Sequence, residues 1–436
     1  MDLESLYNFL NVDPDLTYPA LGKLVLNLLE SSFANLHTRL IVDILTRATN
    51  LRKLYLPTFL LSRDSAIGVA LEGLTGLQRL ELMGEPYVAM RLFEKSPLTS
   101  VHLDAGEFGF PQKQLESLPC LVPFGQTLTE VDLLFGSLMT PCGTSCPLVT
   151  TVSCSPCDAV LLQALVPSFP NLEVLCIEHQ LWGTSNPNTS TDLSMLRQVN
   201  KEFASVHGCW MSLACVVVDL AALYALGLRC RVESLTITSS LTLSQISGEC
   251  SMLRPMLKPL FLKHLRLCSI TDPADLNKLL RGDVAQQLER LDITVDLAQL
   301  DSFELEATVY GLSRSLSSTD IKALDYKIIE THSAWGLLSA PDKATHDFMD
   351  TIDVSELAKR VIEDVPSLSF LTITVGSTSS RPERRMYGIV ESTDSEGKRH
   401  LQEYAQDNTH AIRLFERIYL PPQTQKLYRK RQFPPN

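Results

Sequence analysis

Residues 262–293 read LKHLRLCSITDPADLNKLLRGDVAQQLERLDI and contain one complete structural unit and the start of the next. The stretch begins and ends with the pattern LxxLxL, whose last two apolar residues share one face of an extended strand. Between the two strands, Asp272 and Pro273 predict the start of a helix and Gly282 predicts its end. A strand and a helix that each have one apolar face must stack on neighbouring copies to bury it.

The LxxLxL pattern recurs along the whole chain when Ile, Val or a smaller residue is allowed at each apolar site. Successive starts are 19 to 47 residues apart, against roughly 20 to 29 residues for leucine-rich repeats. The starts are Leu21, Leu51, Leu77, Leu98, Leu128, Val149, Leu172, Leu213, Val232, Leu262, Leu288, Ile321 and Leu368. The sequence therefore predicts an α/β fold, a leucine-rich-repeat solenoid in which a curved parallel sheet has helices on its convex side.

The spacing of the repeats divides the chain into three regions. We expect an N-terminal cap over residues 1–20, a repeat array over 21–375, and a C-terminal cap with a basic tail over 376–436. Caps are expected at both ends because the open apolar end of a repeat array must be covered. Irregular insertions are expected near residues 179–206 and 329–352, where successive starts are furthest apart.

Three local patterns predict elements in the last part of the chain. Residues 353–363 have the spacing of an amphipathic helix that follows the second insertion. Within the C-terminal cap, residues 386–390 predict an edge strand. Residues 401–418 predict a helix that covers the last repeat.

Composition and charge limit the classes of protein that remain. The chain has 436 residues, of which 45% are hydrophobic and 20% charged, as in ordered globular proteins. Its net charge of −12 argues against a nucleic-acid partner, because phosphate contacts need a basic stripe. The acidic N-terminus lacks a long apolar core, so neither export nor a membrane partner is expected. With eleven cysteines interpreted as reduced, we expect a cytoplasmic or nuclear protein.

Four cysteines have a spacing that is compatible with a metal site. Cys142, Cys146, Cys154 and Cys157 follow the pattern C-x3-C-x7-C-x2-C, and four thiolates can hold zinc tetrahedrally. Cys154, however, occupies an apolar site of a repeat strand, so its side chain is expected to point into the core. We therefore predict no metal and no other cofactor, with zinc as the alternative. Because no GxSxG, HExxH or P-loop motif occurs, the chain is not expected to be an enzyme.

The polar positions of the repeat strands predict a binding surface. Sites three and five of each LxxLxL unit lie opposite the leucines, on the concave face of the expected solenoid. Charge along this face is mixed, with basic residues near both ends, which favours a protein or peptide ligand over a polyanion. The candidate binding residues are Lys53, Tyr55, Arg79, His102, His264, Arg266, Arg290 and Asp292. The alternative is that they are ordinary solvated strand residues.

Three features of the chain resemble the leucine-rich region of large fungal families of F-box proteins. They are the LxxLxL units, the junction DLAALYALGLRCRVESLTI over residues 219–237, and the tail RRMYGIVESTDSEGKRHLQEY over residues 384–404. Members of those families usually begin with an F-box, a helical module that recruits an adaptor of a ubiquitin ligase. No LPxE-like opening precedes the first repeat, and the residues before it leave no room for the module.

The resemblance implies a substrate-receptor-like relative of F-box proteins that recognises another protein without catalysing a reaction. A ubiquitin-ligase adaptor is then a possible partner, although no F-box is visible. A truncated or divergent repeat scaffold with no role in ubiquitin ligation is one alternative. An enzyme is the other, and buried, converging polar groups with shifted pKa values would support it.

Overall fold

The computed structural model divides the chain into two compact units, Met1–Trp210 and Met211–Asn436. Each unit is an α/β structure in which parallel strands alternate with helices. The structure describes residues 3–26, 35–63, 65–84, 89–104, 118–134, 136–179, 193–238, 256–268, 276–277, 279–280, 283–300, 304–330, 343–377, 383–391 and 399–404. Most of the helix predicted to follow Asp272, the end of the predicted C-terminal helix and the basic tail lie outside these residues.

The sheet of the first unit is parallel throughout its described strands. The strands are β1 (Lys23–Val25), β2 (Lys53–Pro57), β3 (Arg79–Met83), β4 (Ser100–Asp104), β5 (Glu130–Leu134), β6 (Gly136–Leu138), β7 (Thr151–Val160) and β8 (Val174–His179). Strands β1 to β5, β7 and β8 pair in that order, and the short β6 pairs with β7. The register aligns corresponding repeat sites, so that Lys53, Arg79, Ser100 and Glu130 lie side by side.

Helices of different lengths connect these strands. They are α1 (Leu3–Leu10), α2 (Pro14–Ala20), α3 (Asn35–Arg47), α4 (Phe59–Arg63), α5 (Ser65–Glu72), α6 (Leu162–Ser168) and α7 (Leu193–His207), with 3-10 turns at Arg91–Phe93 and Leu118–Phe124. The 3-10 turns lie between β3 and β4 and between β4 and β5.

The first two helices pack against α3 through a buried tyrosine. The Tyr18 ring on α2 is buried, and the Arg47 guanidinium of α3 lies 4.0 Å from its centroid. Arg47 also donates a hydrogen bond of 2.9 Å to Asn11 Oδ1 and lies 3.3 Å from Asp43 Oδ2. These contacts hold α1 and α2 in the region for which the sequence predicts an N-terminal cap.

The sheet of the second unit is parallel except at its C-terminal end. Its strands are β9 (Ser212–Val218), β10 (Arg231–Ile237), β11 (His264–Leu267), β12 (Arg290–Asp296), β13 (Ala323–Glu330), β14 (Phe370–Ser377), β15 (Glu383–Glu391) and β16 (Arg399–Tyr404). Strands β9 to β14 pair in order as parallel neighbours, whereas β15 and β16 run antiparallel to theirs.

Two of the helices described in the second unit begin at a capping aspartate. The helices of this unit are α8 (Leu220–Leu226), α9 (Asp283–Gln287), α10 (Leu305–Ser315), α11 (Lys343–Thr351) and α12 (Val354–Asp364), with 3-10 turns at Lys258–Leu260 and Leu297–Gln299. Asp219 Oδ1 accepts a 2.8 Å hydrogen bond from the Ala222 amide at the start of α8. Asp353 Oδ1 accepts bonds from the Ser355 and Glu356 amides at 2.8 and 3.1 Å, so α12 confirms the helix predicted over residues 353–363.

The apolar sites of the LxxLxL pattern form the core of both units. Each predicted repeat contributes one strand, and leucines such as Leu54, Leu80, Leu265 and Leu291 are buried. Where a tyrosine takes such a site, its hydroxyl finds a partner: Tyr326 donates a 2.7 Å hydrogen bond to the Val309 carbonyl of α10. The prediction of adjacent parallel strands is confirmed within each unit.

The prediction for the C-terminal region is partly wrong. Residues 386–390 lie in a strand, β15, but it pairs on both sides with β14 and β16 and is not an edge strand. The described part of the predicted helix over 401–418 is also a strand, because Leu401 pairs with Ile389 of β15. The exposed backbone N–H and C=O groups of a sheet edge favour strand pairing, which outweighs the weak helical spacing of Leu401 and Tyr404.

Candidate functional site

Sites three and five of the repeats form a partly exposed polar surface in the first unit. Lys53 is exposed, and Tyr55, Arg79 and His102 are half-buried, whereas the leucines between them are buried. These four predicted binding residues therefore lie where a ligand can reach them. We define the polar face as Lys53, Tyr55, Arg79, Glu81, Ser100, His102, Glu130 and Asp132.

Two ion pairs organise the polar face. Arg79 Nε donates a 2.9 Å hydrogen bond to Glu81 Oε1, two residues along the same strand. His102 Nδ1 lies 2.8 Å from Asp132 Oδ2 on the neighbouring strand. Both arrangements follow from the backbone, because side chains two residues apart share a face and the register places His102 opposite Asp132. The pairs fix the orientation of groups that remain accessible to a ligand.

His102 is more basic than an ordinary histidine. Burial lowers the pKa of His102. The hydrogen bond with Asp132 and the negative charges of Asp132, Glu81 and Asp104 together raise it by a larger amount. The net result is a pKa above the usual value of 6.5. Since Glu81 and Asp132 lie opposite His102 on the two flanking strands, the protonated imidazole has carboxylates on both sides.

An aromatic side chain lies between the charged groups of the polar face. The Tyr55 hydroxyl donates a 3.4 Å hydrogen bond to Met83 Sδ on the neighbouring strand. Burial raises the pKa of Tyr55, and the charges of Asp104 and Glu81 raise it further. Tyr55 is therefore a neutral phenol at neutral pH, and half-buried tyrosines of this kind are common anchors at protein interfaces.

The corresponding surface of the second unit is mostly buried, which corrects a prediction from the sequence. His264 is 3% exposed, Arg290 2% and Asp292 3%, although all three were expected on an open face. Arg266, the fourth predicted residue there, is half-buried. The alternation of apolar and polar residues predicts which side chains share a face, but it does not indicate whether the polar face meets water.

Ser234, His264, Arg290 and Asp292, here called the buried polar cluster, contact one another across β10, β11 and β12. Arg290 donates two hydrogen bonds to the Asp292 carboxylate, from Nε at 2.6 Å and from Nη2 at 3.0 Å. Ser234 Oγ lies 2.8 Å from His264 Nδ1. His264 Nε2 lies 3.2 Å from Asp292 Oδ2 but lacks hydrogen-bond geometry. The cluster thus joins three neighbouring strands on the face opposite the leucines.

The neighbours of Asp292 set the charges of the cluster. Burial raises the pKa of Asp292, but the charge of Arg290, the interaction with His264 and the hydrogen bonds together outweigh burial and hold that pKa well below its usual range. Burial lowers the pKa of His264, and the charge of Asp292 does not fully compensate. Asp292 is therefore ionised and paired with Arg290 while His264 is neutral, with the Ser234 hydroxyl placed to donate to Nδ1.

The cluster contains a serine, a histidine and an aspartate, the side chains of a Ser-His-Asp relay. Buried, converging polar groups of this kind would support the alternative that the chain is an enzyme. A nucleophilic serine must reach a substrate carbonyl, and the aspartate must orient the histidine through a hydrogen bond. Ser234 is 0% exposed, and both oxygens of Asp292 are bonded to Arg290. The geometry therefore supports a structural role for these residues.

Further polar atoms are buried on the same face of β13 and β14. Asp325 Oδ1, Thr372 Oγ1 and Thr374 Oγ1 have no hydrogen-bond partner, although Lys327 Nζ lies 3.4 Å from the other oxygen of Asp325. Each unsatisfied group costs roughly 1 to 3 kcal/mol of folding free energy. Because almost none of their surface is accessible to water, there is no room beside these atoms for a ligand.

Two of the four candidate metal-ligating cysteines come together. Cys142 Sγ and Cys146 Sγ are 3.9 Å apart, and both side chains are buried. Cys154 is buried as well, as expected for an apolar repeat site, while the side chain of Cys157 lies outside the described residues. Within the described ranges, no group of three or more His, Cys, Asp or Glu side chains converges closely enough to hold a metal ion.

Hydrogen bonding separates the pKa values of the two neighbouring thiols. The hydrogen bond between them lowers the pKa of Cys142, because it stabilises the Cys142 thiolate. The same bond raises the pKa of Cys146, and burial raises it further. The amide of Cys142 donates to Ser168 Oγ at 2.9 Å, which ties this loop to the end of α6.

Several residues bonded to predicted site residues are not themselves among the predicted ones. Glu81 pairs with Arg79, Asp132 with His102, and Ser234 with His264. Lateral alignment of the repeats identifies two of these, because it places Asp132 beside His102 and Ser234 beside His264.

Comparison with known proteins does not add to the assignment. No protein-family model matches the chain, and no curated protein matches it. Among the helices in the described part of the chain, none combines the length and the apolar character that a bilayer crossing requires.

Proposed function

We propose that this chain is a non-catalytic leucine-rich-repeat protein that binds a protein or peptide partner on the polar face of its first unit. The observation that carries the proposal is the difference between the units. Lys53, Tyr55, Arg79 and His102 are accessible, while the residues at equivalent sites of β11 and β12 are mostly buried. A polar sheet face that stays accessible and carries oriented charges is suited to a partner of complementary charge.

The repeat class is supported by spacing and register. Each LxxLxL unit supplies one parallel strand, and equivalent sites of neighbouring strands lie opposite one another, as in Leu54 and Leu80 or Leu265 and Leu291. Stacked repeats of this kind bury a continuous apolar core and leave the other sheet face for ligands.

The proposed cellular role rests on the resemblance to fungal F-box proteins. A substrate receptor of a ubiquitin ligase must bind both a substrate and an adaptor, and the polar face is a surface suited to the substrate. A repeat scaffold without an adaptor is the alternative. Co-purification of the chain with a ubiquitin-ligase adaptor would favour the receptor, and partner binding without any adaptor would favour the scaffold. We also propose a reducing compartment, cytosol or nucleus, because the nine described cysteines are thiols.

Site-specific photocrosslinking tests whether the polar face binds a protein. The photoreactive amino acid p-benzoylphenylalanine replaces Ser100, in the centre of the polar face, in the full-length chain expressed in the source organism. We expect one dominant protein adduct, because Ser100 is flanked by Arg79 and Glu130 in the aligned register. The adduct should disappear when the positive end of the face is reversed in Lys53→Glu with Arg79→Glu, which leaves carboxylates at both ends.

The control places the same photoreactive group at Lys95, which is exposed but lies outside the polar face. It should give no adduct of the same mass. An equally strong adduct from Lys95, or an adduct from Ser100 that survives the charge reversal, would contradict the proposed function.

A further inference from the structure

We propose that the polar face binds an extended peptide segment that crosses the strands and carries an acidic residue over Lys53 and a basic residue over Glu130, about four positions apart. The inference rests on the proposed function and names the partner chemistry of the same surface. It follows from three observations: the separation of charge along the face, the register of the strands, and the exposure of the side chains between the two charged ends.

Positive and negative side chains occupy different strands of the face. The accessible residues on β1 to β3 include three cations, Lys23, Lys53 and Arg79, and a single carboxylate, Glu81, which is bonded to Arg79. The next two strands carry three carboxylates and one histidine: they are Asp104, Glu130, Asp132 and His102. One end of the face is therefore positive and the other negative, even when His102 is protonated.

The register fixes the distance between the two ends. Lys53 and Glu130 occupy the same repeat site, and Arg79 and Ser100 lie between them in one lateral row. Three steps between neighbouring strands amount to about 14 Å. An extended chain advances roughly 3.3 to 3.6 Å per residue, so about four residues cover that distance.

The middle of the row suits a backbone in extended conformation. Ser100 is half-buried and its hydroxyl donates a 3.5 Å hydrogen bond to Glu130 Oε2, while Tyr55 and His102 flank the row at the adjacent site with their polar atoms oriented by Met83 and Asp132. Small or hydrogen-bonding side chains at these positions leave space for a peptide between the two charged ends.

The same charge separation argues against a polyanion. A nucleic acid or an acidic membrane surface would be attracted by Lys53 but repelled by Glu130 and Asp132. A segment whose charges all have one sign is therefore repelled at one end of this face. A segment that carries one acid and one base is attracted at both ends of the face.

Selection from a phage-displayed library of random linear dodecapeptides tests the proposal with the immobilised full-length chain. We expect enrichment of peptides in which an acid and a base are four positions apart, in either order, since the chain direction is not fixed by the charges. A fluorescein-labelled selected peptide should bind at least tenfold more weakly to Lys53→Glu, measured by fluorescence polarisation. On that variant, selection should replace the acid by a base.

The matched control is Lys95→Glu, which makes the same change of charge at an exposed position outside the polar face. It should bind the peptide as the wild type does, and circular dichroism should show that both variants are folded. Enrichment of peptides without the charge spacing, no enrichment at all, or unchanged binding to Lys53→Glu would overturn the inference. If the Ser100 photocrosslink nevertheless forms, the proposed function stands and only the partner chemistry falls.

Discussion

Arg79 and Arg290 show how the same local arrangement has different consequences in different surroundings. Each arginine occupies site three of its repeat and bonds to a carboxylate two residues later, Glu81 or Asp292. The first pair is partly exposed, whereas the second is almost completely buried. An exposed ion pair contributes little to stability, while removing one partner of a buried pair leaves an uncompensated charge.

We therefore predict that Arg290→Ala destabilises the protein by about 3 to 5 kcal/mol and that Arg79→Ala costs less than about 1 kcal/mol. The free energy of unfolding in urea measures both. A double variant, Arg290→Met with Asp292→Leu, should recover most of the stability lost in Arg290→Ala, because it removes the buried Asp292 carboxylate together with its partner. Equal losses for the two single alanine variants would contradict the assigned burial.

The pKa of His102 predicts how the first unit responds to pH. The folded-state pKa lies above 6.5, so the folded chain binds this proton more tightly than the unfolded chain. The stabilisation is fully present below the unfolded pKa and is lost as pH rises through the folded pKa. The difference in Tm between wild type and His102→Gln should accordingly shrink as pH rises from about 6 to 8, and it corresponds to under about 1 kcal/mol because the pair is partly exposed.

Asp132→Asn provides the control for this pH dependence. It removes the carboxylate that raises the His102 pKa and should abolish most of the difference across the pH range. A stabilisation by His102 that increases with pH would be incompatible with the pairing seen on the polar face.

At the scale of elements, α12 begins where the sequence predicts a helix and is capped there by an aspartate. Asp353 is the first residue of the helix predicted over residues 353–363, and its carboxylate accepts hydrogen bonds from two amides of the first turn of α12. Such amides have no partner within the helix, so the capping side chain alone satisfies them.

We predict that Asp353→Ala lowers the free energy of unfolding by about 0.5 to 2 kcal/mol. Asp353→Asn should cost less, because its amide oxygen can accept the same bonds while only the favourable interaction with the helix dipole is lost. Urea unfolding monitored by circular dichroism distinguishes the two. A larger loss for asparagine than for alanine would show that α12 does not depend on this cap.

The C-terminal strands illustrate what local spacing does not predict. Leu401 and Tyr404 are three residues apart and fit one face of a helix, yet both lie in β16. The deciding factor is the unpaired backbone of β14, which β15 and then β16 extend by antiparallel pairing. That factor is non-local, and no window of the sequence contains it.

At the scale of the whole molecule, the sequence predicts the strands and the core far better than the accessibility of the polar sites. Apolar residues such as Leu80 and Leu291 must be buried wherever the repeat stacks, so their pattern determines the core. Polar residues such as Arg79 and Arg290 satisfy the same pattern whether or not their face is covered. For this reason half of the predicted binding residues remain candidates, and three of the others are buried.

This difference predicts a mutational pattern for the two units. Alanine substitutions along β2 to β4 should alternate with a period of two, with large losses at residues such as Leu54 and Leu80 and small ones at Lys53. Along β11 to β14 the alternation should be weak, because Arg290, Asp325 and Thr372 are buried on the face opposite the leucines. The cellular abundance of each alanine variant, measured with a fluorescent reporter fused to the protein, reports the loss at every position in the two sets of strands. Equally strong alternation in the two units would refute the burial of that face.

The antiparallel strands β15 and β16 constrain how this protein can lengthen during evolution. An in-frame duplication of one strand and helix between β9 and β14 inserts a parallel strand that finds parallel neighbours on both sides. The same duplicated segment placed after β16 meets a strand that runs the opposite way from the repeats. New copies are therefore accommodated before β15 rather than after β16, and homologues with more repeats should keep the β15–β16 hairpin unchanged while the number of strands before it varies.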